Sequence, residues 1–485
     1  MKYLDKSIQE IHELLKSKKI KPLDLVLEAY DNIESHKEYN AYITLNKEEA
    51  IKEAKELEKL PVDNLLFGLP IAVKDNILTK GLRTTCASHI LDNFIPIYDA
   101  TVIEKIKDKH MIIIGKTNMD EFAMGSSSRT SYFGAPKNPW NKLKIAGGSS
   151  GGSATTVACR DVLFAFGSDT GGSIRQPASY TGLVGMKPTY GRVSRYGVVA
   201  FASSLDQVGC FSKNVYENAV FLNAIVGKDK RDLTSVNKEE EDFTRLIGKS
   251  VKDMKIAVPN YLMSDIVNDE IRDKVKEIIK LLENNGLKVD YIDVDYLDKA
   301  VILYQIIAMG EASSNLARFD GIKYGYSKEN PKDIEDLYYS SRAEGFGEEV
   351  KRRIMVGSYL LSGDNAKEYY NKALSIRDDM RKELKNVFKK YDLIIGPTTT
   401  TTAYDLDDPM DDPLKTFMDD VLVIPVNMAG LPGLNIPIGF DKTHMPIGMH
   451  IIGDSFCEAK MYQLASFIEK KLDLELNPFG GDNNE

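Results

Sequence analysis

The segment from residue 125 to residue 209 constrains the fold most, because glycine- and serine-rich turns alternate there with short apolar runs. One apolar run, at residues 162–166, lies between the two densest turns, Gly147-Gly148-Ser149-Ser150-Gly151-Gly152-Ser153 and Gly171-Gly172-Ser173. A flexible Gly/Ser linker has a similar composition, but a linker does not carry apolar residues that need burial. The segment is therefore predicted to consist of buried strands joined by tight turns.

Short apolar runs and helical patterns alternate along most of the chain. Strand-like runs occur at residues 69–73, 111–114, 162–166, 255–258, 287–294 and 393–395, and helical patterns at residues 100–108, 270–282 and 365–390. Strands separated by helices are typical of α/β proteins. We therefore predict an α/β fold with a central mixed, mostly parallel β-sheet covered by helices on both faces.

The chain has 485 residues, more than the roughly 100–200 that one domain usually needs, but large α/β enzymes often form single units. Residues 1–60 are predicted to be an N-terminal helical segment packed on the core. Its first helix has a capping-box pattern at Ser7 and Glu10, and a second helix begins at Pro22. Residues 61–485 are predicted to be the main domain, with its motif-rich core at 67–210 and a helical insertion or cap at 297–390. The final helix is predicted to open at Ser455, with Glu458 as its capping partner.

Charge and cysteine usage exclude several classes of protein. The formal net charge of −9 makes the chain a poor ligand for a phosphate backbone on its own. The cysteines are scattered, with no Cys-x-x-Cys and no histidine at metal spacing, so no metal site is expected. Residues 1–17 have no apolar signal region, and no run of about 18 apolar residues exists. These features predict a cytoplasmic protein that does not associate with a membrane.

Two familiar motifs are matched only in part. Ile114-Gly115-Lys116-Thr117 follows a strand, but a phosphate-binding loop needs a further glycine where the chain has His110. Lys116 is therefore interpreted as a strand-end residue.

The second motif is the G-x-S-x-G of α/β-hydrolases, which would make Ser149 the nucleophile. That arrangement needs a preceding strand and a histidine later in the chain. Residues 142–145 make a poor strand, and only His444 and His450 follow. His450 lies in an apolar stretch, where a buried structural histidine is more common.

A serine nucleophile in this region needs a base other than histidine, because no histidine lies between residues 111 and 439. A buried lysine can serve, since burial disfavours the ammonium form and lowers its pKa. Lys74 ends the apolar run Leu69-Pro70-Ile71-Ala72-Val73 and is a candidate. A structural ion pair with Asp75 explains the position equally well.

The sequence Asp169-Thr170-Gly171-Gly172-Ser173 follows another predicted strand. Consecutive glycines expose backbone N–H groups that can stabilise a developing oxyanion, and they let the backbone approach a substrate closely. Ser173 would then lie beside its own oxyanion hole. A simple tight turn has the same composition.

The combination of these motifs resembles the amidase signature family. Lys74 after a strand, the Ser149 turn and Gly167-Ser168-Asp169-Thr170-Gly171-Gly172-Ser173-Ile174-Arg175-Gln176-Pro177 carry the resemblance. Two further motifs look like those of the glutamine-hydrolysing subunits of tRNA-dependent amidotransferases: Gly185-Met186-Lys187-Pro188-Thr189-Tyr190-Gly191-Arg192-Val193-Ser194-Arg195 and Ala200-Phe201-Ala202-Ser203-Ser204-Leu205-Asp206-Gln207. The resemblance covers nearly the whole chain and implies an amidase-signature fold, in which residues 61–485 are the amidase domain.

The resemblance implies a Ser–Ser–Lys triad. Ser173 would be the nucleophile, Ser149, carried on a cis peptide in this family, would relay the proton, and Lys74 would be the terminal base. The backbone of Thr170, Gly171, Gly172 and Ser173 would form the oxyanion hole.

The resemblance also implies how glutamine is held. Arg353 would bind its α-carboxylate, Asp420 its α-ammonium group, and Tyr304 would support them. The chain departs from the family after residue 361, where relatives often have tyrosines and this sequence reads Ser362-Gly363-Asp364-Asn365. The departure affects the expected glutamine pocket and leaves the triad unchanged.

The implied function is that of a glutaminase within a complex of three different subunits, in which this chain's partners would be the B and C subunits. Ammonia from glutamine would pass to the B subunit, which uses ATP and Mg²⁺ to convert Glu-tRNA(Gln), with Asp-tRNA(Asn) as a further candidate substrate. The small C subunit would complete the complex, tRNA would bind mainly through the B subunit, and this chain would hold no cofactor. The alternatives are a stand-alone amidase for another small amide and a catalytically silent assembly protein.

Overall fold

The computed structural model describes residues 2–239, 241–409 and 418–479. The strands are β1 (Tyr42–Leu45), β2 (Pro70–Lys74), β3 (Ile112–Thr117), β4 (Lys137–Asn138), β5 (Asn141–Ile145), β6 (Phe164–Asp169), β7 (Val184–Lys187), β8 (Gln207–Ser212), β9 (Lys255–Pro259), β10 (Lys288–Ile292), β11 (Leu393–Pro397), β12 (Gly433–Phe440) and β13 (Pro446–Gly453).

The helices surround these strands. They are α1 (Ile8–Lys16), α2 (Pro22–Ser35), α3 (Lys47–Leu57), α4 (Thr101–Asp108), α5 (Gly151–Ala158), α6 (Arg175–Thr181), α7 (Val215–Ile225), α8 (Asp269–Asn284), α9 (Ala300–Asn315), α10 (Ile334–Gly345), α11 (Glu348–Leu361), α12 (Asn371–Val387), α13 (Ile424–Ala429) and α14 (Glu458–Leu472). Of the helices described, none combines the length and apolar character that a bilayer-spanning segment requires.

The central sheet, within the described residues, has 11 strands in the order β1-β3-β2-β6-β8-β7-β12-β13-β11-β9-β10. Parallel pairing occurs in two blocks, β3-β2-β6 and β11-β9-β10. The strands between the blocks pair antiparallel, as in the hairpin of β12 and β13. The predicted α/β fold with a mixed sheet between helices is confirmed, with its parallel pairs concentrated in these two blocks.

Burial explains why the sheet strands could be recognised in the sequence. Every residue of β2, β3, β6 and β11 is buried. Strands covered by helices on both faces read as continuous apolar runs rather than alternating patterns. The carboxyl ends of β2, β3 and β6 lie at one edge of the sheet, because these strands are parallel.

The N-terminal segment contributes a strand as well as helices. The capping box at Ser7 and Glu10 is present, and α2 begins at Pro22. Between α2 and α3, β1 adds an antiparallel edge strand beside β3, with Tyr42 opposite Thr117. The sequence did not predict β1, because the strand is only four residues long and none of its residues is fully buried.

Helices α9 to α12 lie in the segment predicted as a helical insertion. Apolar residues of these helices form a second core cluster with residues of other parts of the chain, among them Cys86, Ile90, Phe122, Phe201 and Ile424. This cluster packs the insertion against the carboxyl-end loops of the sheet.

Two local predictions were wrong. Residues 142–145, considered a poor strand, belong to β5, which pairs with β4 outside the central sheet. The last helix begins at Glu458 instead of Ser455. The Glu458 carboxylate accepts a hydrogen bond from the Thr189 N–H at 2.9 Å, so its partner lies across the fold and not at the start of its own helix.

Candidate active site

Lys74 is the last residue of β2 and is completely buried. Its ammonium nitrogen donates hydrogen bonds to Ser149 Oγ at 2.8 Å and Ser150 Oγ at 2.7 Å, and to the Ser168 carbonyl at 3.2 Å. The alternative ion pair with Asp75 is not formed by Lys74: Lys116, on the neighbouring strand, lies 3.9 Å from that carboxylate. The structure therefore brings Lys74 and Ser149 into direct contact.

Burial lowers the pKa of Lys74 to about 7, although the carboxylates of Asp120, Asp169 and Asp206 act in the opposite direction. Loss of hydration disfavours the ammonium form more than these acidic groups favour it. A group with this pKa is about half neutral at pH 7. Lys74 can therefore both accept and return a proton near neutral pH.

The Ser149 turn is fixed from two sides. The Gly148–Ser149 peptide bond is cis. The Asp120 N–H donates to the Ser149 carbonyl at 3.2 Å. The Gly148 N–H donates to Gln176 Oε1 at 3.0 Å. A Cβ at Gly148 would lie 2.2 Å from Asp120 Oδ2, so only glycine fits beside this carboxylate.

Gln176 joins the Ser149 turn to the Ser173 turn. It lies in α6, three residues after Ser173, and its side chain accepts from Gly148. Its amide nitrogen also donates to the Ser126 carbonyl at 2.7 Å. The two serine turns are therefore held together by one side chain.

The Ser173 turn is braced by a buried ion pair. Asp169, at the end of β6, receives two hydrogen bonds of 3.0 Å from the Arg175 guanidinium. Burial alone would raise the pKa of Asp169, but the Arg175 charge and its hydrogen bonds hold it well below its usual range. This bidentate contact keeps a permanent negative charge beneath the turn.

The backbone N–H groups of the buried turn differ in whether they already make a hydrogen bond. The Gly172 N–H is donated to Asp169 Oδ1 at 2.9 Å, so this member of the predicted oxyanion hole is occupied. The N–H groups of Thr170, Gly171 and Ser173 make no hydrogen bond to any described residue. The Ser173 hydroxyl, on a residue that is 5% exposed, likewise has no partner in the part of the chain described.

Tyr304 and Asp420 lie against the two glycines of this turn. A Cβ at Gly171 would meet the Tyr304 ring at 2.7 Å, and one at Gly172 would meet Asp420 Oδ1 at 2.5 Å. The glycines are therefore required for this close approach. Both predicted substrate-binding side chains are thereby within reach of Ser173.

Asp420 carries a buried carboxylate oxygen, Oδ1, that has no hydrogen-bond partner among the described residues. Burial, followed by the charges of Asp419 and Asp169, raises the pKa of Asp420 well above its usual range. An unpaired buried acceptor is costly. A cationic group beside Asp420 would relieve this cost and restore the ionised form.

Arg353 is 4% exposed and projects from α11. Its Nε donates to Glu349 Oε1 at 2.6 Å, and its guanidinium lies 5.6 Å from the centre of the Phe201 ring. Burial raises the pKa of Tyr304, and the positive charge of Arg353 offsets part of that rise. Arg353 thus lies against Phe201, which belongs with Tyr304 to the second core cluster.

Asp206 supports the turn from the opposite side. Thr170 Oγ1 donates to the Asp206 carboxylate at 2.7 Å, and burial raises the pKa of Asp206 to about 6. The same carboxylate accepts the N–H groups of Phe201 and Ala202. Asp206 therefore ties the loop under the Arg353 guanidinium to the strand end that precedes Ser173.

The histidines of the α/β-hydrolase alternative are elsewhere. His450 Nε2 lies 3.1 Å from Arg175 Nη1, and burial and the Arg175 charge lower the pKa of His450 well below its usual value. His444 packs on Trp140 and Phe440. Among the described residues no hydrogen bond joins either histidine to Ser149, so that alternative loses its base.

Three residues of the site were missed in the sequence: Ser150, Asp120 and Gln176. Ser150 follows Ser149 directly, and nothing in the motif distinguishes which hydroxyl faces Lys74. Asp120 comes three residues after β3, whose carboxyl end lies beside that of β2. Polar residues after neighbouring parallel strands share one edge of a sheet, which could have indicated Asp120.

The site has a buried lysine in contact with a serine on a glycine-rich turn, and Gln176 links this turn to the one that carries Ser173. These are the components of a serine hydrolase without histidine. The family model Amidase matches residues 24–461 of the chain. The chain therefore belongs to the amidase family.

Three similar proteins of the family carry the same name. The chain is 50% identical to the protein from Pediococcus pentosaceus that is named as the A subunit of glutamyl-tRNA(Gln) amidotransferase, covering 97% of both chains. It is 48% identical to the protein of the same name from Streptococcus mutans, covering 100% of both. The crystal structure of the corresponding Thermotoga maritima protein, again named as this A subunit, is 38% identical, with a TM-score of 0.82 over 98% of this chain and 96% of that one.

The fold is shared more widely than this group. A bacterial aryl acylamidase of the amidase signature family has a TM-score of 0.87 over 98% of this chain and 99% of that one, at 24% identity. This likeness supports the fold alone.

Proposed function

We propose that this chain is the glutamine-hydrolysing component of a tRNA-dependent amidotransferase. The observation that carries the chemistry is the direct contact of Lys74 with Ser149 in a buried site. The similarity to the A subunits of amidotransferases over nearly the whole length of both chains supports the biological role. It also disfavours a stand-alone amidase, and the presence of Lys74, Ser149 and Ser173 argues against a silent assembly protein.

Glutamine would bind through its two α-groups. The Arg353 guanidinium suits the α-carboxylate, because its planar donors match a carboxylate. The α-ammonium would lie beside Asp420 Oδ1, the buried acceptor that has no partner among the described residues. With the α-carboxylate and the α-ammonium both held, the side-chain amide of glutamine would extend toward Ser173.

The acylation step moves one proton along the triad. Ser173 Oγ attacks the amide carbon while its proton passes to Ser149 Oγ, and the Ser149 proton passes to neutral Lys74. The negative charge on the former carbonyl oxygen is stabilised by the available N–H groups of Gly171 and Ser173. The proton then returns through Ser149 to the leaving nitrogen, ammonia departs, and a γ-glutamyl ester remains on Ser173.

Deacylation repeats the relay with water. Water attacks the ester carbon as its proton travels through Ser149 to Lys74, and the proton then returns to Ser173 as glutamate leaves. Ammonia would pass to the B subunit, where ATP and Mg²⁺ serve the amidation of Glu-tRNA(Gln), with Asp-tRNA(Asn) as a second acceptor. The C subunit would complete the complex, in the cytoplasm where aminoacyl-tRNA is used.

Mass spectrometry of the acyl-enzyme tests the chemistry. The complex of this chain with the B and C subunits would be trapped with an electrophilic glutamine analogue and digested. We expect the adduct on the peptide containing Ser173, and no adduct in Ser173→Ala. An adduct on Ser149 would overturn the assignment in favour of the hydrolase arrangement.

The substrate is tested by measuring ammonia release. We expect release from glutamine by the complex, stimulated by Glu-tRNA(Gln), and much slower release from simple aliphatic amides. Equal rates for glutamine and butyramide would indicate a stand-alone amidase and contradict the proposal.

A further inference from the structure

The turn between α10 and α11 is attached to the core through a buried carboxylate, that of Glu121, and a serine hydroxyl, that of Ser88. Glu121 is 3% exposed. Its two carboxylate oxygens accept the Gly347 N–H at 3.1 and 3.0 Å. Ser88 Oγ also donates to Glu121 Oε1. Ser88 Oγ lies within hydrogen-bond distance of the Gly345 carbonyl as well, at 3.3 Å. Glu121 and Ser88 therefore hold the turn at residues 345–347 together, and Glu121 provides the contact at the start of α11.

Close packing leaves this turn little freedom. A Cβ at Gly347 would lie 2.3 Å from Glu121 Oε2, and a Cβ at Gly345 would lie 2.5 Å from Ile90 Cδ1. Between the two glycines, Phe346 is buried with its ring 5.6 Å from that of Phe122. The turn fits against the core in one position.

Gly347 is the N-cap residue of α11, and glycine has no side chain with which to cap the helix. A carboxylate at a helix N-terminus stabilises it through the unpaired N–H groups and the helix dipole. Burial raises the pKa of Glu121 to about 7, and the hydrogen bonds from Ser88 and Gly347 act in the opposite direction. The ionised form of Glu121 thus depends on this contact.

The helix that begins here carries Arg353. Arg353 comes six residues after Gly347, less than two helical turns, so a shift of the helix start moves its guanidinium directly. Glu349, in the first turn, accepts from Arg353 Nε at 2.6 Å and moves with the helix. The start of α11 therefore helps to set the position of Arg353 relative to the core, together with the close packing of α11 on α9 at Gly357.

Glu121 directly follows Asp120, a residue that contacts the Ser149 turn. Asp120 donates its N–H to the Ser149 carbonyl and lies against Gly148. After Glu121 the backbone is left-handed at Phe122 and Ala123, with φ of 49° and 62°. Such conformations cost about 1–3 kcal/mol each and persist only where the surroundings impose them. Asp120 thus contacts the Ser149 turn, and the next residue, Glu121, contacts the start of α11.

We propose that Glu121 is a positioning residue for substrate recognition: it fixes the start of α11, and hence Arg353, relative to the Ser149 turn. This role rests on the proposed binding of a substrate carboxylate by Arg353. A purely structural role would affect stability and every reaction of the site alike. A positioning role affects the binding of substrates that use Arg353 and spares the triad.

A double-mutant cycle with Glu121→Gln and Arg353→Lys tests the proposal, using the complex with the B and C subunits. We expect Glu121→Gln to raise KM for glutamine about tenfold with kcat within about twofold, since one charged hydrogen-bond network is weakened. In the Arg353→Lys background the same change should raise KM less than about twofold. Additive effects in the cycle would overturn the proposal.

A second measurement separates binding from chemistry. Labelling of Ser173 by a small sulfonyl fluoride requires the triad and not Arg353. We expect Glu121→Gln to be labelled at the wild-type rate, whereas equal loss of labelling and glutamine turnover would mean a structural role only. If wild-type complex neither hydrolyses glutamine nor labels at Ser173, the proposed function itself fails.

Matched variants complete the test. Glu348→Gln removes a carboxylate from the first turn of the same helix, but that side chain is 94% exposed, so KM should stay unchanged. Ser88→Ala removes the second donor to Glu121 and the contact with the Gly345 carbonyl, and it should raise KM by about twofold to threefold. A rise in KM for Glu348→Gln equal to that for Glu121→Gln would also contradict the proposal.

Discussion

Two buried lysines lie on neighbouring parallel strands, and only one of them contacts serine hydroxyls. Lys74 ends β2, and Lys116 is the second-last residue of β3, paired with Val73. Both are completely buried. Burial lowers the pKa of Lys74 to about 7 and that of Lys116 to about 8.

Both lysines donate to hydroxyl and carbonyl groups, but among the described residues only Lys116 forms an ion pair with a carboxylate. Lys74 faces the hydroxyls of Ser149 and Ser150, which can exchange protons with it. Lys116 donates to the Ile77 carbonyl at 2.5 Å and to Thr84 Oγ1 at 2.8 Å, and it lies 3.9 Å from Asp75. Burial thus gives both amines a low pKa, and the chemistry of the neighbouring groups distinguishes a base from a structural cation.

The largest expected effect is the loss of the Lys74 amine. Lys74→Met keeps the length and apolar character of the stem, and it should lower kcat/KM for glutamine by about 10³-fold or more, as removal of a general base does. Steady-state ammonia release by the complex measures this, with circular dichroism to verify folding. Retention of more than about one-tenth of the activity would mean that Lys74 is no more catalytic than Lys116.

The two serines at Lys74 provide the next comparison. Ser149→Ala should lower kcat by about 10²-fold, because it removes the proposed proton relay. Ser150→Ala should lower kcat less than about tenfold, since Ser150 also donates to the Ser168 carbonyl at 3.2 Å and is interpreted as a structural partner. Single-turnover hydrolysis of glutamine measures both. Equal losses would show that the relay is shared between the two hydroxyls.

A smaller effect is expected from pH: the rate should increase as Lys74 loses its proton. Only neutral Lys74 accepts a proton, and its pKa is lowered to about 7, so reactivity should rise with pH through about 7 and then level off. Below that midpoint the rate should fall about tenfold per pH unit.

The rate of Ser173 labelling by a sulfonyl fluoride is the suitable measurement, because the reagent does not use Asp420. Lys116→Met should leave the midpoint unchanged. A midpoint near 10, the ordinary range for lysine, would contradict a buried base.

Lys74 and Lys116 also illustrate which features of the site could be predicted from the sequence. The apolar run before Lys74 predicted a buried strand end, and the structure confirms it. The sequence left the choice between a base and a partner of Asp75 open, because both strands carry a lysine near their ends and only the register brings Lys116 beside Asp75. Pairing across strands is a property of the folded sheet.

Contacts between distant segments account for what was missed. Gln176 was visible within a motif, but its bond to Gly148 depends on how α6 packs against the Ser149 turn. Glu121 gave no signal, since its partner Gly347 lies 226 residues further along the chain. Local patterns predict elements, whereas these contacts require the tertiary arrangement.

The smallest expected effect on turnover is that of Lys116→Met, which should nevertheless destabilise the fold. Removing the cation leaves the Asp75 carboxylate buried with only the hydrogen bonds from Thr85 and Ala87. Breaking a buried ion pair from one side costs about 3 kcal/mol in the free energy of unfolding. Urea titration followed by circular dichroism measures this, while kcat per folded molecule should stay within about twofold of the wild-type value. A large fall in kcat with unchanged stability would assign Lys116 to the catalytic chemistry and remove the distinction between the two lysines.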